Sequence, residues 1–180
     1  DRLEEAGTAL ERAVEMEPAN SQALNNLGIV HYERRRYKKA AEFYRRALEA
    51  RPDMAEAWNN LGNALRLTGD ADGAMQAYQD ALTHRERYPE AYNNLGTLLQ
   101  QNKQLDEAEH AFRKAISQSQ KYAEAHNNLA SIYAAQKKDT EAGRRECMVR
   151  STFVIDKKGV IRHVTYGVSP KGHAAQVFDV

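Results

Sequence analysis

The sequence predicts an all-α fold, a solenoid of helix-turn-helix repeats, because its residues recur at one fixed interval. The phrase Asn-Asn-Leu-Gly begins at Asn25, Asn59 and Asn93 and returns as Asn-Asn-Leu-Ala at Asn127, so each copy starts 34 residues after the last. A period of roughly 20 to 50 residues is typical of solenoids, in which each unit buries its apolar face only against its neighbours. Other positions share the same register, namely Ala40, Ala74, Ala108 and Ala142, and the aromatic residues Tyr44, Tyr78 and Phe112.

This register divides residues 1–142 into predicted helix pairs. Residues 1–17 are predicted as one helix ended by Pro18, since proline cannot continue a hydrogen-bonded helix. The apolar residues of that helix recur at helical spacing, at Leu3, Ala6, Leu10, Ala13 and Val14. It is the second helix of a half repeat, 1–20, and it is followed by the full repeats 21–54, 55–88 and 89–122 and the incomplete repeat 123–142.

Glycines mark one helix position in every full repeat and the turn of the second full repeat. Gly28, Gly62 and Gly96 fall inside helices, where glycine costs about 1 kcal/mol relative to alanine, so we expect a close approach of the paired helix there. Thr68-Gly69-Asp70 is the clearest turn between paired helices. The equivalent turns have Arg35, Lys103 and Lys137 in place of the glycine.

The repeat ends near residue 142, and a short strand-turn-strand-helix tail is predicted after it. Glu146 stands where Tyr44 and Tyr78 stood. Strands are predicted at 152–155 and 160–166, a turn at 156–159, and a helix opening at Ser169-Pro170. The charge changes sign at this boundary: residues 1–142 carry 19 Lys+Arg and 22 Asp+Glu, or −3, whereas 143–180 carry 7 and 3, or +4.

Composition indicates a soluble protein, with 42% apolar and 28% charged residues. No run approaches the 18 or so apolar residues of a membrane helix, and no secretory leader opens the chain. We therefore expect a cytoplasmic protein that does not bind membranes. The net charge of +1 predicts no strong attraction to nucleic acid. Cys147 is the single cysteine, so no internal disulfide is expected.

The repeat resembles the tetratricopeptide repeat (TPR). That family's pattern of bulky, small and aromatic positions is matched in the second full repeat by Trp58, Leu61, Gly62, Leu65, Ala74, Tyr78 and Ala81. The resemblance covers residues 1–142 and implies a right-handed α-solenoid. The doubled asparagine is similar to the superhelical arm of O-linked N-acetylglucosamine transferases, which implies an asparagine ladder along a concave groove. It implies a protein-interaction scaffold that binds extended polypeptide or, alternatively, the substrate-recognition arm of a glycosyltransferase-like enzyme whose catalytic domain is absent here.

The asparagine pairs are the strongest functional signal. The predicted peptide-binding residues are Asn25, Asn26, Asn59, Asn60, Asn93, Asn94, Asn127 and Asn128. Asparagine is unfavourable inside helices by up to about 0.7 kcal/mol relative to alanine, and its amide offers both a donor and an acceptor to a peptide backbone. The alternative is that one asparagine of each pair bonds to the neighbouring helix. The resemblance implies that the residue nearer the leucine reads the peptide.

A second resemblance lies in residues 143–180, which are similar to the C-terminal end of a peroxiredoxin of the Q, or bacterioferritin-comigratory, type. The match is carried by the segments 150–156, 159–164 and 170–175. In that family an arginine in the position of Arg150 stabilises the reactive thiolate. The family's Pro-x-x-x-Thr-x-x-Cys loop is missing, and Cys147 does not follow that pattern. We therefore predict no enzyme activity and interpret the segment as a remnant of a thiol peroxidase.

Other kinds of site are not indicated. No two histidines lie three or four residues apart, so we predict no metal and no cofactor, and His31 and His126 are predicted as packing residues. A clamp for a C-terminal carboxylate needs groove cations, but the corresponding positions hold Asn25, Ile29, Asn60, Glu90 and Asn94. The open strand edges and apolar residues of 150–180 predict that this tail covers the unfinished repeat or forms a homodimer.

Overall fold

The computed structural model describes residues 2–135, 152–155 and 161–165. The chain forms two compact units, Asp1–Leu129 and Ala130–Val180. The helices are α1 (Arg2–Met16), α2 (Ser21–Glu33), α3 (Tyr37–Ala50), α4 (Ala55–Thr68), α5 (Ala71–His84), α6 (Pro89–Gln101), α7 (Leu105–Gln118) and α8 (Ala123–Ala135). The strands are β1 (Thr152–Ile155) and β2 (Ile161–Thr165). The predicted all-α solenoid is confirmed.

Local chemistry accounts for the beginnings of α2, α5 and α6. The Asn20 side chain accepts a hydrogen bond from the Ala23 N–H at 3.0 Å, and Asp70 accepts one from the Gly73 N–H at the same distance, so both residues cap helix N-termini. Pro89 occupies the first turn of α6, where a missing N–H does no harm.

The turns inside the three full repeats use a left-handed backbone. Gly69 has φ 87°, and the residues at the same position in the neighbouring repeats have φ 57° (Arg35) and φ 62° (Lys103). The repeat therefore imposes the glycine geometry on residues that carry a Cβ. Lys137, the fourth predicted member of this set, lies outside the described residues.

Ring-on-glycine contacts hold each helix pair together. Tyr44, Tyr78 and Phe112 are at most 1% exposed. A methyl group added to Gly28, Gly62 or Gly96 would come within 2.5 to 2.7 Å of the ring in its own repeat. The predicted close approach is confirmed, and it is made by an aromatic side chain of the second helix. Buried alanines fill the space around the rings.

The first helix departs from its predicted apolar face. Ala6 is exposed, whereas its neighbour Gly7 is buried and would place a methyl group 3.4 Å from Val30 Cγ1. In the described part of the chain α1 packs chiefly against α2, so the side of α1 that faces α2 is the covered one.

In the second unit, β1 and β2 pair in antiparallel fashion. Phe153 lies opposite Val164 and Val154 opposite His163, and a bulge follows between Val154 and Ile155. β1 has the bounds of the first predicted strand, and β2 lies within the second, which was predicted at 160–166. The predicted turn at 156–159 and the predicted helix after Ser169 lie outside the described residues.

Candidate functional site

The first helices of the pairs, α2, α4 and α6, with residues 123–129 of α8, share one solvent-facing stripe. Its residues are exposed or half-buried, and they recur with helical spacing on the side opposite the buried leucines. We call this stripe the ladder face. It consists of Gln22, Asn26, Ile29 and Glu33, of Glu56, Asn60, Asn63 and Leu67, of Glu90, Asn94, Thr97 and Gln101, and of Glu124 and Asn128.

Amide-to-amide hydrogen bonds join consecutive first helices along the edge of this face. Asn60 Nδ2 donates to Asn25 Oδ1 at 3.1 Å, and Asn94 Nδ2 donates to Asn59 Oδ1 at 2.9 Å. Asn128 Nδ2 donates to Asn93 Oδ1 at 2.9 Å. Each rung therefore connects the second asparagine of one repeat to the first asparagine of the repeat before it.

The two asparagines of a pair occupy different environments. The first members Asn25, Asn59 and Asn93 are buried, with exposures of 2%, 6% and 0%. The second members Asn26, Asn60, Asn94 and Asn128 are half-buried, and Asn127 is exposed. In the first three asparagine pairs, the first asparagine is buried between neighbouring repeats. Only the second asparagine of each of these pairs reaches the ladder face.

The rungs leave part of each second amide available. Asn60 and Asn94 each use one N–H in a rung, and in the described part of the chain their Oδ1 atoms accept no hydrogen bond. Asn26 is different, because its Oδ1 accepts from Gln22 Nε2 at 3.2 Å. An amide held in one orientation, with a carbonyl oxygen and a second N–H still open, can pair with both backbone groups of a peptide.

Tyrosines and carboxylates follow the same interval beside the rungs. Burial raises the pKa of Tyr88, the Arg85 guanidinium opposes this shift, and the carboxylates of Glu56 and Glu90 add to it. Burial raises the pKa of Tyr122 to about 12, assisted by the carboxylates of Glu124 and Glu90. The glutamates therefore alternate with the tyrosines along this edge of the ladder face.

Sequence reasoning missed this row of glutamates and tyrosines. Its signal was present, because Glu56, Glu90 and Glu124 are spaced by 34 residues and so are Tyr88 and Tyr122. An arginine already occupies one member of the row. Arg85 Nη2 lies 3.0 Å from Glu56 Oε1, and its guanidinium carbon lies 4.8 Å from the centre of the Tyr88 ring.

Further along the face, Tyr78 reaches through from α5. Its hydroxyl donates to Asn63 Oδ1 at 2.8 Å, which orients the Asn63 amide. Burial raises the pKa of Tyr78 to about 12, and the nearby Arg66 guanidinium opposes that shift. Tyr78 thus stays a neutral donor at any physiological pH.

The described residues lack two features, a group of possible metal ligands and a membrane-spanning helix. They contain no group of three or more histidine, cysteine, aspartate or glutamate side chains that could hold a metal ion. None of their helices has both the length and the apolar character needed to cross a bilayer. Cys147 and Arg150, which carry the peroxiredoxin resemblance, lie outside the described residues.

Known structures share the fold of the solenoid. The chain is similar to the crystal structure of MamA, with 24% identity over 75% of this chain and 79% of that one, and a TM-score of 0.70. It is similar to YrrB, described as a TPR protein with an unusual peptide-binding site, with 24% identity over 82% and 77% of the two chains and a TM-score of 0.66. It is also similar to the first TPR of Spaghetti (RPAP3) bound to the HSP90 peptide SRMEEVD, with 20% identity over 65% and 93% and a TM-score of 0.63.

Sequence comparison agrees with these structural likenesses. No curated protein matches the chain. Two family models do match it, both described as tetratricopeptide repeat, one over residues 1–55 and the other over residues 53–121. Residues 1–121 of this chain therefore belong to the tetratricopeptide repeat family.

Proposed function

We propose that the ladder face binds an extended polypeptide and that the chain acts as a protein-interaction scaffold. The observation that carries the proposal is the state of the Asn60 and Asn94 amides. Each is held by a rung, half-buried, and left with an open carbonyl oxygen. The similar structures of YrrB and of the Spaghetti TPR, whose descriptions name a peptide-binding site and a bound peptide, support the same class of partner.

The rungs prepare these amides for binding. An unrestrained asparagine side chain loses rotamer freedom when it binds a ligand, and this loss weakens binding. Because the Asn25 and Asn59 oxygens already fix the amides of Asn60 and Asn94, that loss has occurred during folding. Consecutive first helices lie roughly 8 to 10 Å apart, so amides on neighbouring repeats would meet an extended chain about every third residue.

The negative charge of the ladder face does not suit a C-terminal carboxylate, which is the group that a carboxylate clamp binds. The ladder face carries glutamates at 33, 56, 90 and 124, and it carries no lysine or arginine among its own residues. A free C-terminal carboxylate would be repelled by this charge. We propose that the bound segment is internal to its polypeptide and is held through its backbone.

Replacing Asn60 and Asn94 with alanine tests this proposal. Peptides are first selected from a displayed library of random dodecapeptides on the unmodified protein. We expect the double variant to bind them about tenfold or more weakly, since each lost hydrogen bond contributes about 1 kcal/mol. Fluorescence anisotropy measures the affinity, and circular dichroism should show unchanged helix content because alanine is the better helix former.

The matched control is Asn102→Ala. Asn102 is an exposed asparagine at the end of α6, away from the rungs. We expect this variant to bind like the unmodified protein. If the double variant binds every selected peptide as tightly as the control does, the amides have only a structural role and the proposal is wrong.

A further inference from the structure

Arg85 shows what kind of group fits beside the ladder face. Its guanidinium lies 3.0 Å from the Glu56 carboxylate and 4.8 Å from the centre of the Tyr88 ring. A charge-assisted hydrogen bond on one side and an aromatic face on the other are the two interactions that bind a guanidinium well. We number the helix pairs α2 and α3, α4 and α5, and α6 and α7 as first, second and third. The second pair therefore contains a guanidinium site that its own arginine occupies.

The third helix pair has the same site without the arginine. Thirty-four residues on, Glu90 and Tyr122 occupy the positions of Glu56 and Tyr88, whereas Ser119 takes the place of Arg85. The backbone is alike at the two positions, with φ −142° and ψ 93° at Arg85 and φ −138° and ψ 93° at Ser119. A short hydroxyl thus replaces the side chain that would reach the carboxylate and the ring.

The first helix pair shows the converse arrangement. Arg51 occupies the position of Arg85 with φ −144° and ψ 91°, but Gln22 and Met54 replace the glutamate and the tyrosine. An arginine therefore occurs in one repeat without the site, and the site occurs in another repeat without the arginine. The Glu90 carboxylate and the Tyr122 ring of the third pair therefore have no arginine of their own repeat to bind, because Ser119 stands at its position.

Two further observations describe Glu90 and Tyr122. The repeat places them where Glu56 and Tyr88 flank the Arg85 guanidinium, and the Glu90 carboxylate contributes to the raised pKa of Tyr122 after burial and Glu124. Glu90 is exposed, and among the described residues it forms no ion pair or side-chain hydrogen bond. It stands on the ladder face one helical turn before Asn94.

We propose that Glu90 and Tyr122 bind an arginine side chain of the extended polypeptide that the ladder face holds. This inference rests on the proposed function. Arginine fits better than lysine because its planar guanidinium can contact the carboxylate edge-on and stack on the ring at once. The partner is thus a polypeptide with an arginine whose neighbouring backbone lies against Asn94.

Ser119→Arg is the most direct variant, because it places an arginine in the third pair where Arg85 stands in the second. The internal guanidinium should occupy the site and exclude that of the partner. The control is Ser117→Arg, which adds the same charge at an exposed position two residues away in α7. Random dodecapeptides are selected in parallel on the unmodified protein and on both variants.

We expect arginine to be enriched in the peptides selected on the unmodified protein and on Ser117→Arg but not on Ser119→Arg. Exchanging that arginine for citrulline, its neutral isostere, should weaken binding to the unmodified protein about tenfold and leave binding to Ser119→Arg unchanged. Peptides that bind through Asn60 and Asn94 with no arginine enrichment and no citrulline effect would overturn the inference and leave the proposed function intact.

A peptide-free measurement covers the case in which no dodecapeptide binds and the proposed function fails. N-acetyl-arginine amide is titrated into the full chain and followed by two-dimensional NMR, with N-acetyl-citrulline amide as its control. Shifts at Glu90 and Tyr122 that require the charge and vanish in Glu90→Gln support the site. Shifts equal for both amides, or none at these residues, overturn it.

Discussion

At the scale of single residues, the helix pairs depend on three positions where a side chain is forbidden. Gly28, Gly62 and Gly96 each face an aromatic ring, and a methyl group there would come within 2.7 Å of it. Because the rings are fully buried, they have no free space into which to retreat. Glycine lowers the helix propensity at these positions, but its lack of a side chain allows the paired helices to come into close contact.

Gly62→Ala should therefore destabilise the protein although alanine is the better helix former. We expect the free energy of unfolding to fall by about 1 to 3 kcal/mol, the usual effect of overpacking, as measured by urea denaturation. Gly7→Ala is the matched control. Its methyl group would lie at a van der Waals distance of 3.4 Å from Val30 Cγ1. The free energy of unfolding should therefore rise by up to about 1 kcal/mol, because alanine has the higher helix propensity. Equal effects at both glycines would contradict this account.

The turn residues give a second residue-scale prediction. Arg35 and Lys103 adopt φ values of 57° and 62°, in a region that disfavours any residue with a Cβ. Lys103→Gly should raise the free energy of unfolding by about 1 kcal/mol, because the left-handed conformation costs glycine nothing. The gain is reduced somewhat because glycine has more conformational freedom in the unfolded chain. Gly69→Ala, at the equivalent position with φ 87°, should lower it. Thermal unfolding that shifts in the same direction for both variants would show that the backbone geometry is not the cause.

His31 makes the stability of the first pair depend on pH. It replaces Leu65 and Leu99 of the later repeats, stacks on Phe43 with ring centres 5.0 Å apart, and has both ring nitrogens buried without a hydrogen bond. Burial lowers the pKa of His31 below its ordinary 6.5, and the nearby cations Lys39, Arg36 and Arg34 lower it further, against a small opposing effect of Glu11.

The sign of the effect follows from this lowered pKa. The unfolded chain binds a proton at His31 near pH 6.5, and the folded chain does so only at lower pH. Stability is therefore full above 6.5 and is lost as the pH falls below it. His31→Leu should reduce the difference in melting temperature between about pH 7.5 and about pH 5.5. His110→Leu, at an exposed histidine, should leave that difference unchanged, and an identical profile in all three proteins would refute the role of His31.

At the scale of elements, much of the arrangement could be predicted from the sequence because it is local or depends on the nearest neighbour. The 34-residue interval located the helix pairs, and the glycines indicated where the paired helix would approach closely. The division of labour within each asparagine pair was implied only by the family resemblance and could not be worked out from the residues themselves. Asn59 and Asn60 are adjacent on one helix, and only the angle between consecutive helices decides which of them is buried between repeats and which reaches solvent.

The glutamates and tyrosines escaped prediction for a related reason. Each is ordinary in its own segment, and the site exists only where the connection that follows a helix pair meets the first helix of that same pair. Glu56 lies on α4, whereas Arg85 and Tyr88 lie in the connection between α5 and α6, and their proximity requires the packing of these two segments to be known. A search for residues that share the interval but change type between repeats, such as Arg85 and Ser119, could have found the site.

The rungs that connect elements should contribute measurably to stability. Asn59→Ala removes the acceptor of Asn94, and Asn94→Ala leaves the buried Asn59 oxygen without its donor. A double-mutant cycle on this pair should give a coupling energy of about 1 kcal/mol by urea denaturation. The pair Asn59 and Asn128, which shares no rung, should give none. Additive effects within the rung would show that the amides do not stabilise the contact between repeats.

At the scale of the whole molecule, the solenoid is a sum of repeats and of the contacts between neighbours. A deletion that respects the interval should therefore leave a working fold. Deleting residues 55–88 removes one helix pair, joins Met54 to Pro89, and brings Asn94 into the position from which Asn60 donates to Asn25. Met54 has a ψ of 85°, close to the ψ of 79° at Tyr88, which already precedes Pro89 in this chain.

We expect this shortened chain to fold cooperatively, with helix content lowered only in proportion to the helices removed and with a lower melting temperature, because one set of contacts between repeats is lost. The control deletes residues 55–84, a shorter stretch that leaves the following repeat four residues out of register. It retains more of the chain, yet it should lose most of its cooperative unfolding, because Asn94 can no longer meet Asn25 and the ring-and-glycine contacts of the flanking pairs no longer share one spacing. Circular dichroism during thermal unfolding compares the two. If the out-of-register chain is as stable as the in-register one, stability does not depend on the match between neighbouring repeats, and the additive description of this solenoid is wrong.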